Sequence, residues 1–339
     1  MAVKTLQADQ VSCLTAVPVA ISWHSGLPVY ASEAFLKGVG DEYGWIGGVD
    51  ESGQLRCILP FTVIRKLGFR MVRFRVETIP LGGELDEEGE RSFLNSAMEH
   101  FRSTAADMII PAHASALFRT YPDNAVVAPY ATFIKDLNQS GEILFKELHA
   151  DYRKKIRSAT KAGVQIKSGM QYLDTSFDII ADTLKRSGAS RFVRNRDEFR
   201  ESILSFGENV RIFVAEYQGA VQACLITPFS EYSAYTYYGG TISEPVKGAM
   251  HLVHWEAIRQ FREMNVKRFN FQGVRVNPER GSKQEGIRTF KERFGGRLVQ
   301  GYVWKYSLSR LKFAAYSMAT RLLLGGDIVD GERRSLASQ

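Results

Sequence analysis

The chain has 339 residues, 45% hydrophobic and 24% charged, a balance that excludes disordered, collagen-like and disulfide-stapled classes and leaves room for two ordinary domains. Lys and Arg outnumber Asp and Glu by 44 to 37, and the resulting charge of +7 favours an anionic partner without requiring one. The three cysteines, Cys13, Cys57 and Cys224, are too far apart to suggest a disulfide framework or a zinc knuckle.

The opening "MAVKTLQADQVSCL" lacks the apolar core of a signal peptide. No stretch reaches the ~18 apolar residues of a membrane span, so the cytoplasm is the expected location. An early helix, "SEAFLKGV", carries Lys37. Residues 44–65, "GWIGGVDESGQLRCILPFTVIR", alternate apolar and polar around an "ESGQ" turn and predict a hairpin. Then come a strand ("RMVRFRV"), a double glycine opening a helix ("LGGELDEEGERSFLNSAMEHFRS") and a short strand ("DMIIP").

Between residues 136 and 167, Leu144, Leu148, Tyr152, Ile156 and Ala159 recur at helical spacing and Gly163 closes the run, which predicts one helix. Its other face carries Lys146, Arg153, Lys154, Lys155, Arg157 and Lys161. Two further helices are predicted near 174–187 and 195–206. The earlier pattern then returns as a hairpin ("RIFVAEYQGAVQACLITPFS"), a strand with a double glycine ("YSAYTYYGG"), a helix ("SEPVKGAMHLVHWEAIRQFREM") and a strand ("VKRFNFQG"). Gly53 matches Gly219, and Gly83 matches Gly240. This ordered agreement predicts an internal duplication at domain scale. Each half would be an α+β unit: an antiparallel meander, a helix across it, and a strand parallel to the last one. The expected boundaries are 1–135, 136–305 with the basic linking helix, and a tail at 306–339.

The basic helix "ELHADYRKKIRSATKAGVQI", and "LVHWEAIRQFREMNVKRFNFQG" followed by "GIRTFKERFGG", resemble the Fem-type aminoacyltransferases over roughly residues 18 to 305. The resemblance implies two tandem GNAT-like domains without the coiled-coil arm that some members carry. It also implies transfer of an amino acid from aminoacyl-tRNA onto an amine of a peptidoglycan precursor. Broader relatives act in envelope polysaccharide pathways with other acyl donors.

Acyl transfer to an amine passes through an oxyanion that a positioned cation can stabilise by a few kcal/mol. Lys291 is the candidate, with Phe290 and Phe294 anchoring its helix and Gly295–Gly296 turning the chain; the resemblance implies the same role. Where the family often has an acidic residue before this helix stands Asn270, and Gln272 replaces a glycine. Asn270 can orient a group by hydrogen bonds but cannot act as a base. His251 and His254 are candidate bases by chemistry alone; they share one helix with no third ligand in view, so no metal is expected and exposed histidines are the expected reading. "SEPVKGAMHLVHW" keeps Lys247 and Gly248 but is a poor CoA cradle, as is the acidic "LGGELDEEGERS".

A tRNA donor would follow a basic track through "YRKKIR", Arg275, Arg280, Lys283, Arg288, Arg293 and Arg297. The remaining candidate substrate contacts are Lys37, where family members grip an anionic acceptor, Arg153, Tyr235, Tyr237 and Trp255. The acceptor is expected in a groove between the halves.

In the tail, "YSLSRLKFAAYSMATRLLLGG" places Leu308, Leu311, Ala315, Met318 and Leu322 in an apolar stripe among Arg310, Lys312 and Arg321. Such a helix lies on an anionic membrane at its inner face, or packs on the protein or on a second subunit. The expected function is a transferase moving an aminoacyl or acyl group onto an amine of a cell-envelope precursor. The donor would be aminoacyl-tRNA, or alternatively acyl-CoA or a carrier-bound acyl group, with no permanently bound cofactor. A scaffold that kept the fold and lost the chemistry is the reading from a different class.

Overall fold

The computed structural model describes residues 13–113, 115–189 and 195–337; the opening stretch read for a leader lies outside them up to residue 12. In chain order the first elements are β1 (Thr15–Val19), α1 (Glu33–Val39), β2 (Glu42–Val49), β3 (Leu55–Lys66), β4 (Phe69–Phe74), β5 (Ile79–Pro80), α2 (Glu87–Ser103), β6 (Met108–Ile109) and β7 (Val126–Asp136). The middle holds α3 (Gly141–Lys146), α4 (Ala150–Lys161), β8 (Gln165–Ser168), α5 (Leu173–Arg186) and α6 (Arg196–Leu204). The rest is β9 (Val210–Tyr217), β10 (Ala220–Pro228), β11 (Ala234–Tyr235), β12 (Tyr238–Thr241), α7 (Ala249–Glu263), β13 (Arg268–Val274), α8 (Lys283–Glu292), β14 (Arg297–Ser307), α9 (Arg310–Leu324) and α10 (Ile328–Ala337).

These elements form two compact units. The first takes the chain up to Ser22, Gly40–Tyr130, and Gln300 onwards; the second takes Trp23–Val39 and Ala131–Val299. The division differs from boundaries drawn in chain order for two reasons. Tyr306 and Ser307 of β14 pair antiparallel with Ile109 and Met108 of β6, which brings the C-terminal strand back to the first unit. The Tyr30 and Phe35 rings pack on Phe206, which ties 23–39 to the second.

In the first unit, β2, β3 and β4 form an antiparallel meander. Asp86 caps α2 by accepting from the Gly89 N–H, and Phe93, Leu94, Ala97, Met98 and Phe101 bury its inner face. Strand β6 then runs parallel to β4 for two residue pairs, Met71 with Met108 and Val72 with Ile109. The second unit repeats this order. β9 and β10 form a hairpin whose turn holds Gln218 and Gly219 at φ 51 and 80, the left-handed pair of a tight two-residue loop. α7 begins at Gly248 without a side-chain cap. It is held by burial of Leu252, Val253, Ala257, Ile258 and Phe261, each worth roughly 1.5–3 kcal/mol for a large side chain and well above a cap's ~1 kcal/mol. β13 then pairs parallel with β11. The fold is therefore α+β, two GNAT-like units in tandem, as the repeat predicts.

Three local expectations change. "YSAYTYYGG" is two strands: the Thr236 N–H reaches the Asn270 carbonyl while the Tyr237 N–H reaches Ile226, so the chain passes from β13 to β10 between adjacent residues. This hand-over splays the sheet. The linking helix is two helices, α3 and α4, broken at 147–149, where the His149 ring accepts from the Asp151 N–H. The five apolar residues of the predicted stripe are all buried even so. Finally, Gly53 and Gly219 both sit in left-handed hairpin turns. Gly83, by contrast, is in open space, whereas Gly240 lies in β12 against Ile179 and Thr183 of α5, so that second glycine pair is a match of sequence only.

Candidate functional site

The site begins with how α8 is held. The Ser282 hydroxyl accepts from the Glu285 N–H, and the Glu285 carboxylate accepts from the N–H of Gly281, the residue before the cap, at 2.7 Å, a variant of the S-x-x-E cap. At the other end Phe294 is fully buried and Phe290 half-buried, their rings 5.2 Å apart. Tyr152 of α4 packs on Phe294 at 5.0 Å and His254 of α7 on Phe290 at 5.2 Å. Gly295 has φ +75, and a Cβ there would stand 2.8 Å from the Glu147 carbonyl and 3.0 Å from the Lys135 ammonium. The phenylalanines fix the helix and the glycine lets the chain leave it.

Facing α8 is a bulge in β13. Its register against β7 shifts between Asn270 and Gly273, and Gln272 takes φ +60. Asn270 is buried, and its Oδ1 accepts from the Gln272 N–H at 2.7 Å and from the Thr132 hydroxyl at 2.8 Å. The side chain thus shapes the bulge. The bulge in turn swings two consecutive carbonyls toward α8, and Lys291 Nζ donates to both, Gln272 at 3.0 Å and Gly273 at 2.9 Å. Burial pushes the Lys291 pKa down to about 7. An ammonium has three N–H donors, so two are fixed on the bulge and a third is left to point along a set direction.

Gln272 extends the site. Its Nε2 donates to the Tyr30 hydroxyl at 3.0 Å. The Tyr30 ring lies 4.8 Å from Tyr235 and 6.2 Å from Tyr237, and Tyr237 meets the Ser202 hydroxyl at 3.1 Å. Burial, reinforced by the neighbouring tyrosines, holds the Tyr30 phenol well above its ordinary pKa. It is therefore a neutral hydrogen-bonding group in the working range.

The histidines are not exposed. His254 is buried and His251 half-buried, and burial first of all pushes each to about 4. The His254 Nδ1 lies 3.0 Å from the Met250 carbonyl; a neutral ring donates there, which leaves Nε2 as an acceptor. Among the described residues no group of three or more His, Cys, Asp or Glu could hold a metal.

The other candidates scatter. Arg153 donates to the Lys146 and Leu148 carbonyls, so it closes the end of α3. Trp255 packs its half-buried ring on Phe145 at 4.9 Å. Lys37 is exposed and pairs with Glu33 one turn away at 3.0 Å. Arg293 is exposed, with its carbonyl taken by the His149 N–H, and Arg275 is half-buried just beyond the bulge. On α4, Lys154, Arg157 and Lys161 are exposed, while Lys155 pairs with Asp151 at 2.8 Å. At the start of α7, a Cβ on Gly248 would fall inside contact distance of the Lys155 carbonyl, so α4 packs hard against that helix end. Sequence reasoning missed Tyr30, Thr132 and Ser202, which are ordinary residues locally and become site residues only through β13 and its neighbours.

Residues 146–291 match the family described as the acetyltransferase (GNAT) domain. A search of curated protein sequences gave no match. The structure of FemX superposes with TM-score 0.62 at 15% identity, over 85% of this chain and 92% of that one. The C-terminal domain (DUF2156) of a protein described as a lysylphosphatidylglycerol synthetase from Agrobacterium fabrum does so with TM-score 0.51 at 16% identity, over 87% and 93%. At these identities the likeness is one of fold. It bears out the Fem-type, tandem GNAT architecture.

Proposed function

We propose that the second unit transfers an acyl group, in the first instance an aminoacyl group from tRNA, onto an amine of a cell-envelope precursor. The observation that carries this is the Lys291 ammonium, aimed by two bulge carbonyls. Attack of the amine on the donor carbonyl forms a tetrahedral oxyanion. The third N–H of Lys291 donates to that oxygen, a contribution worth roughly 3–4 kcal/mol for one well-aimed donor in a water-poor site. Gln272 and Tyr30 offer neutral polar groups beside it, suited to orienting the reacting amide or ester. Collapse of this intermediate breaks the donor C–O or C–S bond and expels the tRNA ribose hydroxyl or the CoA thiol, and the excess amine proton passes to that leaving group through the acceptor's own phosphate or water, since Asn270 cannot take it.

Two features favour tRNA as donor. The start of α7, where a GNAT enzyme would seat a CoA pyrophosphate, is packed against α4, and α4 presents Lys154, Arg157 and Lys161 outward. The peptidoglycan-type acceptor rests on the resemblance to Fem-type enzymes and on the FemX-like fold. The GNAT family match keeps acyl-CoA as the second donor.

The test is direct. Incubate the protein with labelled aminoacyl-tRNA or acetyl-CoA and a panel of amine acceptors, beside Lys291→Ala. Transfer from tRNA that falls a hundredfold or more in the variant supports the reading. Transfer only from acetyl-CoA replaces the donor. Silence with both donors and every acceptor leaves the scaffold reading in its place.

A further inference from the structure

The C-terminal helix α9 shows which of its faces the protein uses. Phe313 and Tyr316 pack on the cluster of Met71, Met108 and Ile110, and Thr320 is buried beside them. That face is not the apolar stripe. At about 100° per residue, Leu311, Ala314, Ala315, Met318, Ala319 and Leu322 fill a continuous arc of roughly 140° on the opposite side. It faces outward: Leu311 is 86% exposed, Met318 64% and Leu322 79%. From Leu311 onward the stripe is therefore not the surface that docks α9 onto its own chain; Leu308, ahead of the helix, leaves the predicted stripe and packs on the first unit's core.

Two further observations say what covers it. The arc is edged on one side by Arg310 and Arg321 and on the other by Lys312, which is paired with Asp107 at 2.9 Å, and α9 itself contains no Asp or Glu. A second copy packed antiparallel on this face would bring the Arg310 and Arg321 edge against its own counterpart, whereas a layer of anionic headgroups would meet that edge favourably. Leu67 extends the patch. It stands 87% exposed in the turn after β3, next to Gly68, whose carbonyl accepts from Lys312 Nζ at 3.3 Å. Fifteen residues span about 22 Å, short of the ~30 Å hydrocarbon layer, so the helix is built to lie along a bilayer.

We propose that the outward face of α9, with the Leu67 turn beside it, docks on an anionic lipid bilayer and seats its leucines at the headgroup–acyl boundary. This surface belongs to the first unit and stands independently of the acyl-transfer reading.

Sedimentation of the full chain with phosphatidylcholine vesicles, with and without roughly a quarter of phosphatidylglycerol, tests it. Leu322→Glu and Leu311→Ser are the variants, both at exposed positions where folding tolerates change. Circular dichroism and thermal melting confirm that they fold. The wild type is expected to bind the anionic vesicles at least about tenfold more tightly than the neutral ones, less tightly at high salt, and each variant to lose about tenfold. Equal partition onto both vesicle types, or anionic binding that survives both variants, overturns the proposal. So does a dimer in sedimentation velocity without lipid that Leu322→Glu dissolves.

Discussion

Lys291 offers a stability measurement that needs no substrate. Its folded pKa of about 7 against an ordinary 10.5 is a shift of about 3.5 units, and at ~1.36 kcal/mol per unit the charged form is disfavoured in the fold by nearly 5 kcal/mol. That shift is a net quantity, and because the unfolded lysine is still mostly charged at pH 10, about 3–4 kcal/mol of the cost is relieved between pH 7 and pH 10. A lysine whose folded pKa is depressed costs stability in full below that value, near pH 7. The cost fades as pH rises and is gone above pH 10.5, where the unfolded chain is neutral too. Lys291→Met keeps an unbranched side chain of similar length and removes the titration, while leaving two bulge carbonyls to water. Its absolute stability therefore mixes a gain with a loss of ~1–3 kcal/mol per unpaired group. The informative quantity is the difference between wild type and variant followed against pH, in which every other titrating group cancels. Urea unfolding at pH 7, 8.5 and 10 should show the wild type gaining about 3–4 kcal/mol on the variant. A difference constant to within ~0.5 kcal/mol would mean that the ammonium is as well solvated folded as unfolded, and the site described above would lose its central feature.

Transfer to an acceptor whose amine is already neutral at pH 6 should slow as pH rises through about 7, because the stabilising form of Lys291 is the protonated one; a rate that climbs instead makes Lys291 the base. Gln272→Gly, which accepts the left-handed φ of +60 but loses the bond to Tyr30, should stay folded and lose transfer activity about tenfold or more. Gln272→Val adds ~1–2 kcal/mol of backbone strain, read by thermal melting. Gly295→Ala should cost about 2–4 kcal/mol, from positive φ together with the crowding of Glu147 and Lys135. In the first unit, burial holds Glu90 at about 7 while it accepts from the Arg119 and Thr120 N–H groups at 2.9 and 3.1 Å. Its cost grows as pH rises from about 4.5 to 7, so Glu90→Gln should be more stable than wild type by about 2–3 kcal/mol at pH 8 and equal to it near pH 4.

What the sequence discloses here follows the range of the physics. Hairpins and the amphipathic faces of α2, α4 and α7 are encoded within a dozen residues by apolar spacing and turn glycines, so they are legible. So is the pairing of Phe290 and Phe294 with Gly295, because helix anchoring and helix exit are local. The bulge is not. "FNFQG" reads as an uninterrupted strand, and only Thr132, 138 residues away along the chain, completes the hydrogen bonds that let Gln272 turn left-handed. For the same reason Asn270 reads as a defective acid while in the fold it holds the two carbonyls that aim Lys291. Asn270→Asp sharpens the point. Both bonds it receives end on Oδ1, which a carboxylate accepts equally well, so the bulge should persist, while burial of the new charge costs stability that a protonated Lys291 offsets only in part. A negative charge close to Lys291 would then raise the lysine's pKa, and the stability difference against Lys291→Met should flatten between pH 7 and 10. An Asn270→Asp protein that keeps the full wild-type pH dependence would show that Asn270 and Lys291 do not share one electrostatic site, and the residue would revert to a purely structural part of β13.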